Sequence, residues 1–124
     1  MGMAYYWLAI TTSWMMHAEE NPSKKERGCK KVIKYARDGE YHLSIVCNND
    51  FIARINHPHT ESYSTLGFEV ETNPDRRQIS LRKAIKIGKR GLTYAKRSGC
   101  ARATIDILHA LSKALYFLST FETK

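Results

Sequence analysis

His57, His59 and Glu61 invite a metal reading, with Cys47 upstream as a further donor. On an extended strand alternate residues point the same way, so His57 and His59 would face one ion together. No second Cys or His pair stands at a recognised spacing, and Pro58 suits a loop, so no metal is expected. Cys47 with His42 would make a thiol–imidazole pair, but nothing in the spacing singles it out. The chain has no Gly-rich phosphate loop, no elbow around a serine and no carboxylate pair in an obvious acid–base setting. This reads as a binding protein without a cofactor, not as an enzyme.

What the sequence offers in place of catalysis is charge. Residues 76–124 hold 12 basic and 2 acidic side chains, a net of +10, whereas residues 1–75 hold 8 and 10, a net of −2. Arg82, Lys83, Lys86, Lys89, Arg90, Lys96, Arg97 and Arg102 follow Arg76 and Arg77, with no acidic residue between Asp75 and Asp106. Like charges held close together repel, and an anionic partner relieves that repulsion. A cluster at Lys24, Lys25, Arg27, Lys30 and Lys31 lies in a segment with Pro22 and Gly28 that reads as a solvated loop.

Residues 91–110 resemble the twenty-residue helix-turn-helix of DNA-binding repressors. Ala95 stands where that family places a small residue at the close crossing of its two helices. Gly99 stands at the turn, where the backbone needs a positive φ. Cys100, Ile105 and Leu108 match the apolar positions that anchor the second helix, while Ser98 departs from an apolar position of the first. The resemblance implies a transcription regulator of the kind phages and plasmids carry. Ala101, Arg102, Thr104 and Asp106 would enter the major groove. Lys89, Arg90, Lys96 and Arg97 would hold phosphates, with Arg82, Lys83 and Lys86 extending the nucleic-acid surface.

The partner expected is therefore nucleic acid, with duplex DNA favoured over RNA. A different class of function uses other residues: a small inhibitor or adaptor of the anti-defence type, capturing a protein or ribonucleoprotein. Its contact surface would be a sheet face or the aromatic N-terminus. The stripe Leu108, Leu111, Leu115 and Leu118 reads as core, with a homodimer seam as its other use.

The elements that must position these residues read as α+β. Residues 4–12 are aromatic and β-branched, with apolar groups at both parities, which suits a strand covered on both faces. Trp7, Trp14, Met15 and Met16 are assigned to the core. Asp38-Gly39 favours a hairpin turn, and residues 41–47 and 51–56 alternate apolar with polar. With residues 31–36 and 66–71 this makes an antiparallel meander of about four to five strands over residues 4–71, closed by Asn73-Pro74-Asp75. Residues 79–120 then read as two to three basic helices, with a break at Gly88 and Gly91. One domain over residues 1–124 is expected from the length.

Three cysteines in no paired spacing argue against a disulfide scaffold and for a cytoplasmic protein. Residues 3–18 are apolar but too short and too interrupted to span a bilayer, and they lack a signal-peptide pattern. No membrane association is expected.

Overall fold

Asparagine followed by proline opens the two longest helices of the chain. The computed structural model describes residues 2–122. Its elements are α1 Gly2–His17, α2 Pro22–Ile45, α3 Asn49–Thr65, a π-helical turn Leu66–Val70, α4 Pro74–Ser98 and α5 Ala101–Glu122. The Asn21 side-chain oxygen accepts from the backbone N–H groups of Ser23 and Lys24, at 3.0 and 3.2 Å. Asn73 does the same for Asp75 and Arg76, at 2.9 and 3.2 Å. Pro22 and Pro74 sit in the first helical turn, where a missing N–H costs no bond. Asn48 caps α3 through the N–H of Phe51, at 3.2 Å.

No strand occurs among the described residues, so the α+β expectation with its meander over residues 4–71 is corrected to an all-α fold. The physical reason is visible in α2. Its buried residues Cys29, Val32, Ile33, Ala36, Gly39 and Leu43 recur at three and four, the helical period. Within residues 41–47 only Leu43 is buried, whereas Tyr41 and Ile45 face solvent. A seven-residue window accommodated either period; the full helix accommodates one.

The glycines read as turns and breaks have a different role. Gly39 lies within α2 where a Cβ would collide with Ile55 of α3 and crowd Tyr5 of α1. Gly91 lies against the Asn56 side chain, which fills the space a Cβ would take. Both allow helix axes to approach closely, and α4 runs unbroken through Gly88 and Gly91. Asn56 uses that proximity to donate from Nδ2 to the Ile87 carbonyl at 2.8 Å, and it accepts from the Thr60 hydroxyl at 3.1 Å. A buried amide satisfied on both sides this way holds α3 in one register against α4.

Helix α3 is the centre of the molecule. From Ile52 to Thr65 it is buried on nearly all sides, including Asn56, His59, Thr60, Ser62, Ser64 and Thr65. α1 and α2 pack antiparallel on one side, pairing Gly2 with Leu43, Tyr5 with Gly39 and Met16 with Gly28. α4 and α5 form a second antiparallel pair, in which Ala95 shares a cluster with Ala103 and Ile107, and Gly88 meets Leu111. Further along that pair the Arg77 guanidinium lies over the Phe121 ring at 4.8 Å.

Two core assignments are corrected. Met16 is buried, but Trp7, Trp14 and Met15 face solvent, at 57, 69 and 70% exposure. On α5 the inward line is Ala103, Ile107, Ala110, Leu111, Ala114 and Leu118, while Leu108 and Leu115 are exposed. Among the described residues no helix is long and apolar enough to cross a membrane.

Candidate functional site

The basic residues of α4 occupy two flanks and a crest because its apolar residues hold the opposite side. Leu81, Ala84, Ile87, Gly88, Gly91 and Ala95 face inward. Lys83, Lys86, Arg90 and Tyr94 then look toward α2, and Arg82, Lys86 and Lys89 toward Leu118 of α5. Lys86 sits on the crest between them. All of Arg82, Lys83, Lys86, Lys89, Arg90, Lys96 and Arg97 are exposed.

Across from α4, α2 presents a second basic stripe that the strand assignment concealed. Lys30, Lys34 and Arg37, spaced by four and three, lie on one face of a helix. Between the two helices runs a cleft of about 530 Å³, lined by Arg37, Glu40 and Tyr41 of α2, Lys83, Lys86, Ile87, Arg90 and Tyr94 of α4, and Ile52, His59 and Tyr63 of α3. A neighbouring hollow shares Arg37, Tyr63 and Lys83 and adds Lys30, Lys34, Ser80 and one carboxylate, Asp38. The two make one cationic groove.

Its polar groups are held in place. Arg90 donates from Nη2 to Glu40 Oε2 at 2.8 Å, and the other oxygen of Glu40 lies 3.0 Å from His59 Nδ1. The contact with Glu40 occupies Nδ1 and leaves the other ring nitrogen, Nε2. That Nε2 is buried without a partner. Arg37 donates to the Tyr63 hydroxyl at 2.7 Å, and Lys83 Nζ stands 5.7 Å from the centre of the Tyr63 ring. Glu40 and the tyrosine ring thus hold three cations around the mouth without neutralising the cleft as a whole.

The residues considered for metal chemistry are separated. On a helix His57 and His59 point to different sides. His59 meets Glu40, whereas His57 Nε2 lies 3.3 Å from Glu61, which also meets His17 of α1 at 3.2 Å. Burial alone would raise the Glu61 pKa. The hydrogen bonds from His17 and His57, with the charges of His57 and Lys113, outweigh it and hold the carboxyl well below the usual carboxylate range. Among the described residues no cluster of three or more His, Cys, Asp or Glu is placed to hold a metal ion.

The cysteines are equally dispersed. His42 stacks on Tyr5 at 5.5 Å, Cys47 is exposed at the corner after α2, and no hydrogen bond joins them among the described residues. Burial pushes the Cys29 thiol up to about 12, which removes it as a nucleophile near neutral pH.

In the segment that resembles a helix-turn-helix, Gly99 has φ +69° and closes α4, and Ala95 is fully buried. Arg102 is 85% exposed and lies 3.4 Å from Asp106, and the Thr104 hydroxyl donates to the Cys100 carbonyl. Ile105 and Leu108 do not anchor α5; they face solvent at 62 and 46%. The reason is the pairing of α5 with α4 along their lengths, which selects Ala103 and Ile107 in their place.

Sequence reasoning passed over Arg37, Glu40, Tyr41, Tyr63 and Tyr94, and weighed His59 only as a metal ligand. A helical period read through residues 30–41 would have aligned Lys30, Lys34, Arg37 and Tyr41. The pairing of Glu40 with His59 carries no sequence signal, because it depends on how α2 lies on α3. Compared with protein-family models, with curated proteins and with solved structures, the chain finds no match.

Proposed function

We propose that this chain is a small non-enzymatic protein that binds nucleic acid through the α2–α4 cleft and the exposed crest of α4. The observation that carries the reading is convergence. Arg37 from α2 meets Lys83, Lys86 and Arg90 from α4 around one concavity, and Arg82, Lys89, Lys96 and Arg97 continue the charge along the same helix. Such an array repels itself until phosphates neutralise it. Duplex-DNA regulation through residues 91–110 is the narrower form of this reading. The left-handed turn at Gly99 and the exposed Arg102 favour it, and the outward Ile105 and Leu108 weigh against a compact recognition unit.

Fluorescence anisotropy across a salt series tests the proposal. Neutralising about five phosphates gives a slope of log K against log salt near −4 to −5 on duplex and about −3.5 on a single strand. Binding no tighter than ~10⁻⁴ M at low salt for either form is weaker than ordinary non-specific binding and would end the reading.

A second reading, the inhibitor or adaptor, rests on α1. Trp7, Leu8, Trp14 and Met15 form an uncharged, exposed face at helical spacing, the kind of surface that a protein partner covers. The exposed Ile105, Leu108 and Leu115 of α5 offer a smaller apolar stripe to a second copy. Substituting Trp7 and Trp14 with Ser separates the readings: it should abolish capture of a protein partner and leave nucleic-acid affinity unchanged.

A further inference from the structure

A surface that meets only the outside of a duplex needs cations and hydrogen-bond donors. The α2–α4 cleft has more than that. Tyr41 stands at its rim with 65% of its surface exposed, its ring at 74° to that of His42 with ring centres 5.4 Å apart. Tyr94 stands on the opposite wall, and Ile52 and Ile87 supply an apolar lining. The volume of about 530 Å³ lies in the ~300–1,000 Å³ range of small-molecule sites, so the open cleft has room for a ring. His59 lies at its base, its ring held by Glu40.

We infer that the cleft takes an unpaired nucleotide of a single strand. Its phosphates rest on Arg37, Lys83, Lys86 and Arg90, and its base lies against Tyr41 or Tyr94. The inference rests on the nucleic-acid reading above and narrows it. Every base has a π-face, so a tyrosine wall accepts an unstacked base of any sequence, whereas a paired base inside a duplex cannot enter. Arg90, fixed by Glu40, presents its remaining donors in one orientation, which suits a phosphate held next to a stacked base.

The test uses the full chain with oligoadenylate, oligodeoxyadenylate, a duplex of equal length and adenosine monophosphate, read by anisotropy or calorimetry. Single strands should bind more tightly than the duplex. Tyr41→Ala should weaken single-strand binding about 5- to 150-fold, the range expected for losing one base–aromatic stack. Tyr41→Phe should restore it, because the ring remains. Tyr41 is exposed, so circular dichroism of the variants should match the parent.

Equal affinity for duplex and single strand, with Tyr41→Ala leaving both unchanged, overturns this inference alone. Binding of neither form overturns the nucleic-acid reading beneath it. Adenosine monophosphate bound as tightly as the oligomers overturns the strand in favour of a free nucleotide. A ribose preference of the oligomers would identify RNA as the strand received, and indifference would leave either strand as its ligand; both support the inference.

Discussion

Helices α1 and α4 lie against the same central helix and expose opposite chemistry. Between Gly2 and Met16, α1 carries no charged side chain, and its outward residues include Trp7, Leu8, Trp14 and Met15. Along α4 the outward residues are Arg82, Lys83, Lys86, Lys89, Arg90, Lys96 and Arg97. Their inner faces are alike: small residues, Gly2, Ala9 and Ser13 on α1 and Ala84, Gly88, Gly91 and Ala95 on α4, let each helix approach its neighbours. The difference teaches that packing sets where a helix lies and leaves its outer face free to carry function. An exposed apolar face is relieved by another surface, and an exposed cationic face by anions.

The sharpest way to break this comparison is to move α4. Gly91→Leu places a side chain in the space of Asn56, breaks the bond to the Ile87 carbonyl and overpacks the centre. We expect a loss of about 3 kcal/mol or more in urea unfolding, from strain together with an unsatisfied buried amide. An unchanged midpoint would show that α4 is not held by close approach.

Removing the charge while keeping the packing comes next. Lys83→Ala, Lys86→Ala and Arg90→Ala together should lower nucleic-acid affinity about 10²-fold at 0.1 M salt and flatten the salt slope by about two to three units. A uniform loss across sequences is expected, because phosphate contacts position without reading bases. Folding stability should be little affected, apart from the Glu40–Arg90 pair.

Gly99→Val tests the corner that returns α5 along α4. A β-branched residue resists φ +69°, and the cost should be around 1–2 kcal/mol in thermal unfolding. No change would mean that the corner relaxes without its left-handed residue.

Acid should loosen α1 before α4, because Glu61 ties His17 of α1 to α3. Its folded pKa is depressed, so the pairing contributes stability above the unfolded glutamate value of about 4.3. That contribution fades as pH falls from there through the folded value. Hydrogen exchange in α1 should rise over that acid range, and Glu61→Gln should remove the dependence. Smallest of all, Trp7→Ser with Trp14→Ser should shift stability by less than about 0.5 kcal/mol, because both are surface positions.

The clustering of charge in residues 76–124 and the corner at Gly99 were legible from the sequence. The three Asn caps were not: Asn21-Pro22 was read as loop, Asn73-Pro74 as the end of the sheet and Asn48 as lying between two strands, and each caps a helix. The strands over residues 31–56 were inferred from windows of six or seven residues, too short to separate a period of 2 from one of 3.6. The HTH-like anchors Ile105 and Leu108 failed for a related reason: residue types matched, but the choice of inward face belongs to the partner helix.

By itself the sequence determined which residues carry charge and where a left-handed turn is affordable, since these depend on groups a few residues apart. Only the tertiary structure decided that Gly39 and Gly91 are contacts, that His57 and His59 separate onto Glu61 and Glu40, and that Arg37 joins Lys83, Lys86 and Arg90 around one cleft. Each of those depends on the relative placement of helices distant in the chain. That placement follows from burying the faces of α3 on all sides at once, a constraint no local window contains.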